Sequence, residues 1–286
     1  MINIENTIKF MMKDIDKYLD DITLNAITVD GDSILKLESM FCEEISPRLE
    51  KILGTLIKSE VEHRHDFDFS KIQSLGDSKS FECLPAKSKN PSSYRDLYLW
   101  GKEMRHTEKL KAEDESDWEK NIQHIEKEGF LRNRPIEITY YTWLDRYFVS
   151  NSGGSHHAAL VVWQSVRDKL EYKREANITK LSIDKDSIKK LNSDYWSFIL
   201  NFRYQTNIQT LFYLFEDLVS KHTGMLKPRD YHGNYRLFFV PKSQLKMNKY
   251  AFEYWYRNAI KNKKIIALPE YLENPLQFHT GGILIQ

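Results

Sequence analysis

Apolar residues at Ile8, Met11, Ile15, Leu19 and Ile22 recur every three or four positions, the spacing that gathers side chains on one stripe of a helix. Asp30-Gly31-Asp32-Ser33 interrupts the pattern as a turn. Leu37, Phe41, Ile45, Leu49, Ile52 and Leu56 then resume it, with Pro47 as a kink. Residues 1–75 therefore read as a helical N-terminal region, closed by the polar, broken stretch EHRHDFDFSKIQSLGDSKS at 62–80, which reads as a connector. Phe81-Glu82-Cys83-Leu84 suits a short strand, followed by the loop KSKNPSSYRD. The charged residues 102–121 suit a solvated helix, and Trp118, Ile122 and Ile125 mark a helix that Gly129 closes at its C′ position.

Two β-prone runs follow, Pro135 to Tyr140 and Arg146 to Ser150, separated by a short turn. A helix is predicted from about Ser155 to Leu170, a strand over Ile178 to Ile183, and a long aromatic-rich helical stretch over 194–221. Tyr235 to Val240 reads as a strand, 249–261 as a helix, and Lys264 to Leu268 as a strand. The pattern predicts an α+β protein with a core at 76–190. A helical N-terminal region precedes it, and a helical and α/β extension at 191–286 follows.

The most specific stretch is YFVSNSGGSHHAALVV, where the second strand gives way to a helix through Gly153-Gly154-Ser155-His156-His157. Two glycines permit positive φ and leave no Cβ to obstruct a ligand. The first turn of the helix then offers free N–H groups and the positive end of its dipole, a setting suited to phosphate. His156 and His157 can donate to phosphate oxygens. The alternative is a structural strand–helix turn, with Ser155 as N-cap and one histidine satisfied in the core.

The element order and this junction resemble the ParB/sulfiredoxin superfamily, which implies a small mixed sheet with flanking helices over 76–190. GFLRNRPIEI is similar to the helix-ending glycine and Pro-Ile-x-Val strand of ParB-type domains, and RYFVSNSGGSHHAAL to their second strand and Gly-x-x-Arg-x-x-Ala box. Asn90-Pro91 is similar to an upstream Asn-Pro-Arg element, with Ser92 in place of the arginine. Sulfiredoxins carry Gly-Gly-Cys-His-Arg at the junction, so Ser155 stands for their cysteine and His157 for their arginine. A serine hydroxyl cannot take the part of that cysteine, and sulfiredoxin chemistry in the strict sense is excluded. The resemblance implies a nucleotide-dependent enzyme, a phosphotransferase or nucleotide hydrolase, using ATP or CTP with Mg²⁺.

Under that reading Ser155, His156 and His157 bind phosphate. Glu137 and Asp145 serve as metal ligand or general base, and Lys127 and Arg132 neutralise phosphate charge. Two further readings stay open. One is a ParB-like nucleic-acid binder or nuclease, using Lys169, Lys173, Arg174 and Lys180 and the run Lys261, Lys263 and Lys264 beside Tyr254, Trp255 and Tyr256. The other is a degenerate scaffold that meets a protein partner through its N-terminal helices.

Composition narrows these choices little. The 286 residues carry 42 basic and 41 acidic side chains, a net charge of +1 that gives no global attraction to nucleic acid or anionic membrane. Hydrophobic content of 41% is that of an ordinary globular protein. Cys42 and Cys83 have no metal-ligand or redox spacing, and charges interrupt every apolar run in residues 1–24, so a cytoplasmic protein without membrane contact is expected. His63, His65, Asp66 and Asp68 are ligand types. Extended-chain alternation, however, sets the histidines and the aspartates on opposite sides, and the segment reads as connector rather than metal site.

Overall fold

The computed structural model describes residue 9 and residues 46–75, 96–104, 107, 109–143, 145–201, 224–226, 235–243, 245, 249–262 and 264–274. They form an α+β fold in two compact units, one of residues 58–182 and one of residues 46–57 with 183–274. The expected helix over Ile8 to Ile22, the strand at Phe81, Asn90-Pro91 and both cysteines lie outside the described residues.

The first unit is built on a five-stranded mixed sheet in the order β1-β5-β3-β4-β2. Its strands are β1 (Ile57–Asp68), β2 (Ile72–Leu75), β3 (Ile136–Tyr141), β4 (Arg146–Val149) and β5 (Lys173–Ile183). β3 and β4 are the expected hairpin, antiparallel with Ile138 opposite Val149, while β5 runs parallel to β3 and β2 parallel to β4. His63 pairs with Asn177 and His65 with Glu175, so β1 and β5 run in opposite senses. Helices α2 (Leu97–Glu103), α3 (Glu115–Lys127) and α4 (Ser155–Asp168) supply the rest of the core. Ile125 of α3, Ala158 and Val162 of α4 and Trp100 of α2 pack in one cluster with Ile136, Ile138, Ala176 and Ile178 from the sheet. Even-numbered residues of β3 and β5 thus face the helices, and Glu137, Glu175 and Asn177 face away.

The stretch expected as a connector at 62–80 begins instead as structure. Residues 57–68 are a 12-residue strand, followed by a 3-10 turn at Phe69–Lys71 and β2. Polar residues fill β1 because most of it is exposed on both faces, and only Phe67 near its end is buried. These residues belong to the sheet, not to a helical N-terminal region.

The second unit opens with α1 (Pro47–Gly54), which begins at Pro47 and is capped by Ser46 Oγ accepting from the Leu49 N–H at 3.3 Å. Pro47 therefore starts a helix rather than kinking one, because its missing N–H costs nothing in the first turn. α5 (Lys185–Asp194) ends where β6 (Tyr195–Asn201) begins. The start of the aromatic stretch at 194 is thus a strand, not a helix; residues 202–223 lie outside the described set. β6 pairs antiparallel with β8 (Tyr235–Pro241) and β9 (Ile266–Ala267), and β7 (Gly224–Leu226) completes the sheet against β8. α6 (Lys249–Lys261) and α7 (Leu268–Glu273) bury Phe252, Trp255, Leu268 and Tyr271 in this unit's core. Among the described residues no helix is long and apolar enough to cross a membrane.

Candidate functional site

The end of α3 and the start of α4 meet through three glycines. Glu128 caps α3, Gly129 takes φ 95° at the next position, and the Phe130 N–H returns to the Ile125 carbonyl at 2.9 Å, the closing bond of a Schellman turn. Against this turn lies the junction. A Cβ on Gly129 would stand 2.1 Å from the Gly153 carbonyl oxygen, and one on Gly154 (φ 68°) would stand 2.4 Å from that of Glu128. The space freed by the missing Cβ atoms of Gly129 and Gly154 is therefore filled by the protein's own backbone, not left open for a ligand. Beside Gly153 it is the Glu128 side chain that fills it, with Oε1 3.1 Å from where a Gly153 Cβ would stand.

The amides beyond remain uncapped. Gly154 is the N-cap of α4, no side chain caps the helix, and Ser155, His156 and His157 form its half-exposed first turn. Ser155 is thus not the cap; its Oγ accepts from Asn151 Nδ2 at 2.9 Å, and that same amide group donates to the Gly153 carbonyl at 2.8 Å. Asn151 is buried, and its Oδ1 has no hydrogen-bond partner among the described residues.

Three imidazoles gather beside this turn. Asn121 Nδ2 donates to the Lys111 carbonyl at 2.8 Å, which turns Asn121 Oδ1 toward His157 Nδ1, 2.7 Å away. The amide oxygen can only accept, so His157 carries its proton on Nδ1 and keeps a lone pair on Nε2. His157 stacks on His124 with centroids 3.7 Å apart, and His124 Nε2 donates to Glu128 Oε2 at 2.8 Å. His156 packs on Trp100, centroids 5.0 Å apart. Burial, then the neighbouring His124 and His156, pulls the His157 pKa down to about 4, with Glu128 opposing; burial lowers that of His156. Both rings of the first turn are neutral at pH 7.

The other expected site residues lie apart. Glu137 is the second residue of β3, near the end of β4 that feeds the junction, but it is exposed on the face away from the helices and accepts from Asn177 Nδ2 at 2.7 Å. Asp145 (φ 48°) precedes β4 at the end opposite the junction and accepts from Tyr140 O–H at 2.6 Å. Lys127 is exposed in the last turn of α3, and Arg132 is exposed with a 3.9 Å ion pair to Glu126. The carboxylate actually at the junction is Glu128. Neither it nor His124 and Asn121 stands out in the sequence, where nothing ties a helix's polar face to a junction some thirty residues on.

Buried polarity of a different kind lies at the far end of β4, where Arg146 opens the strand. Asp96 caps α2 by accepting from the Leu99 N–H at 3.1 Å, and its Oδ2 has no hydrogen-bond partner among the described residues; burial raises its pKa while Arg146 opposes the shift. Arg146, only 3% exposed, donates to Ser74 Oγ at 2.7 Å, so the pair acts within the core.

Of the residues named for a basic and aromatic groove, Arg174 and Trp255 are buried, while Tyr254 is exposed. Arg174 is buried and donates to the carbonyls of Phe130, Leu131 and Arg134 at 3.0, 2.8 and 3.2 Å. Lys173 pairs with Glu171 at 2.8 Å, Trp255 is 1% exposed, and Tyr256 O–H donates to the Ser197 carbonyl. Arg174 and Trp255 are placed by carbonyl capture and packing, which leaves them unavailable to stack on bases. Lys263 lies outside the described residues, as do most of those expected to meet a protein partner.

No curated protein and no solved structure matches the chain. A family described as "Family of unknown function (DUF6685)" matches residues 62–252, a span that begins inside β1 and takes in the whole junction. With more than half of its 286 residues covered, the chain belongs to the DUF6685 family.

Proposed function

We propose that the chain binds a nucleotide as its magnesium complex, with a phosphate on the first turn of α4, and that it hydrolyses or transfers that phosphate. The observation that carries this reading is the pairing, among the described residues, of side-chain-uncapped amides at Ser155–His157 with a neutral His157 whose Nε2 has no hydrogen-bond partner. Uncapped N-terminal amides and the helix dipole favour an anion. A base needs an unprotonated nitrogen at working pH and a partner that holds its ring, the part Asn121 plays. The ParB/sulfiredoxin resemblance of the same five residues supports the phosphate as ligand.

Glu128 decides the form of the ligand. Its carboxylate beside Gly153 would repel a bare phosphate, whereas as an oxygen ligand it would hold the Mg²⁺ of a nucleotide complex, which would supply the neutralising charge. Glu128 thus takes the part first expected of Glu137 and Asp145. In hydrolysis, water forms the new O–P bond, His157 Nε2 accepts its proton, and the bond to the nucleoside diphosphate breaks.

Calorimetric titration with ATP, CTP and GTP, with and without Mg²⁺, tests the proposal. Binding is expected only with Mg²⁺, with the metal requirement lost in Glu128→Gln. In His157→Gln, which can keep the Asn121 bond, binding persists while turnover falls by about 10²–10⁴-fold. No binding of any nucleotide by the folded wild-type chain overturns it.

A further inference from the structure

The outer face of the mixed sheet holds a second group of side chains that the α4 junction does not use. His63 and His65, two residues apart on β1, project to one side, and β5 sets Glu175 against them. One ligand atom from each of the three lies within 4.8 Å of the other two, and the imidazole rings meet edge to face with centroids 4.6 Å apart. We infer that His63, His65 and Glu175 bind a divalent transition-metal ion of the zinc class.

The supporting shell is the stronger part of the argument. Asn177 Nδ2 donates to Glu137 Oε1 at 2.7 Å, which fixes the amide and turns its Oδ1 to His63 Nδ1 at 2.8 Å. His63 therefore carries its proton on Nδ1 and presents a lone pair on Nε2, the arrangement by which an outer residue orients a metal-binding histidine. Glu137 acts through Asn177 and is a positioning residue. Glu175 and Glu137 together offset the charge of a divalent ion.

Two imidazoles and a carboxylate suit Zn²⁺, Co²⁺, Ni²⁺ or Cu²⁺ better than Mg²⁺ or Ca²⁺. Bonds of about 2.0–2.2 Å at a tetrahedral ion need donors roughly 3.3 Å apart. All three residues are exposed, so small side-chain rotations close the remaining gap, and Glu175 exchanges its 3.1 Å contact with His65 for the ion. Three protein ligands leave the other positions to water. Asp68 is excluded from the set because it accepts from the Ser70 N–H and hydroxyl.

Co²⁺ titration of the metal-free chain, read by visible absorption and checked by Zn²⁺ calorimetry, tests the site. One ion is expected per chain at these residues. His63→Ala and Glu175→Gln should each weaken it by at least about tenfold, and Asn177→Ala by about 10–100-fold. His157→Gln, which alters the other imidazole cluster, should leave the Co²⁺ spectrum unchanged. Circular dichroism confirms that the variants fold. An absent Co²⁺ spectrum, or one that survives both His63→Ala and Glu175→Gln, overturns the inference whatever the nucleotide experiments give.

Discussion

His124 and His157 stack with ring centroids 3.7 Å apart, and each has one nitrogen committed, His124 to Glu128 and His157 to Asn121. Two parallel imidazoles at that distance cannot both be charged without repulsion. Burial, reinforced by this repulsion, holds His157 neutral.

This arrangement makes stability depend on pH. His157 titrates near 6.5 when unfolded and at about 4 when folded, so between these values the unfolded chain binds more protons. Its contribution is fully present above pH 6.5 and is lost as pH falls through the window to 4. Because the ring is half-buried, the loss is about 1–2 kcal/mol rather than the full shift. Urea denaturation at pH 7 and pH 4.5 should show wild type losing more stability than His157→Gln; equal losses would contradict the assignment.

Gly129→Ala should destabilise the fold by about 2–4 kcal/mol. The new Cβ would stand 2.1 Å from the Gly153 oxygen, at a backbone φ of 95° that side chains rarely adopt. Thermal unfolding measures it. A neutral result would mean that α3 and α4 are not locked at this contact.

Arg174→Met should cost about 2–4 kcal/mol by leaving the Phe130, Leu131 and Arg134 carbonyls without their donor. It should not alter oligonucleotide binding at any salt concentration. Reduced, salt-dependent binding together with unchanged stability would instead restore the basic groove.

The hairpin, the Gly129 helix end and the junction were legible because each is local: alternation, a C′ glycine, and a Gly-Gly step into a helical pattern. β1 was not, since a strand exposed along most of its length has no apolar alternation to read. β6 was mistaken for the start of a helix because Trp196, Ser197, Phe198 and Ile199 are buried on both faces, which erases the period-two signal. At the junction the sequence offered the amides and the two histidines. It could not offer Asn121, His124 and Glu128, which arrive from a separate helix, nor the separation of Glu137 and Asp145, which follows from strand direction and sheet face.

The central claim is that the first-turn amides of α4 receive a phosphate. Backbone amide NMR of Ser155, His156 and His157 during addition of magnesium nucleotide tests it most directly. The account predicts large, saturable shifts at these three amides, with slowed hydrogen exchange, while the outer-face residues Glu175 and Asn177 stay still. Binding that moves other amides and leaves these three in place would contradict it.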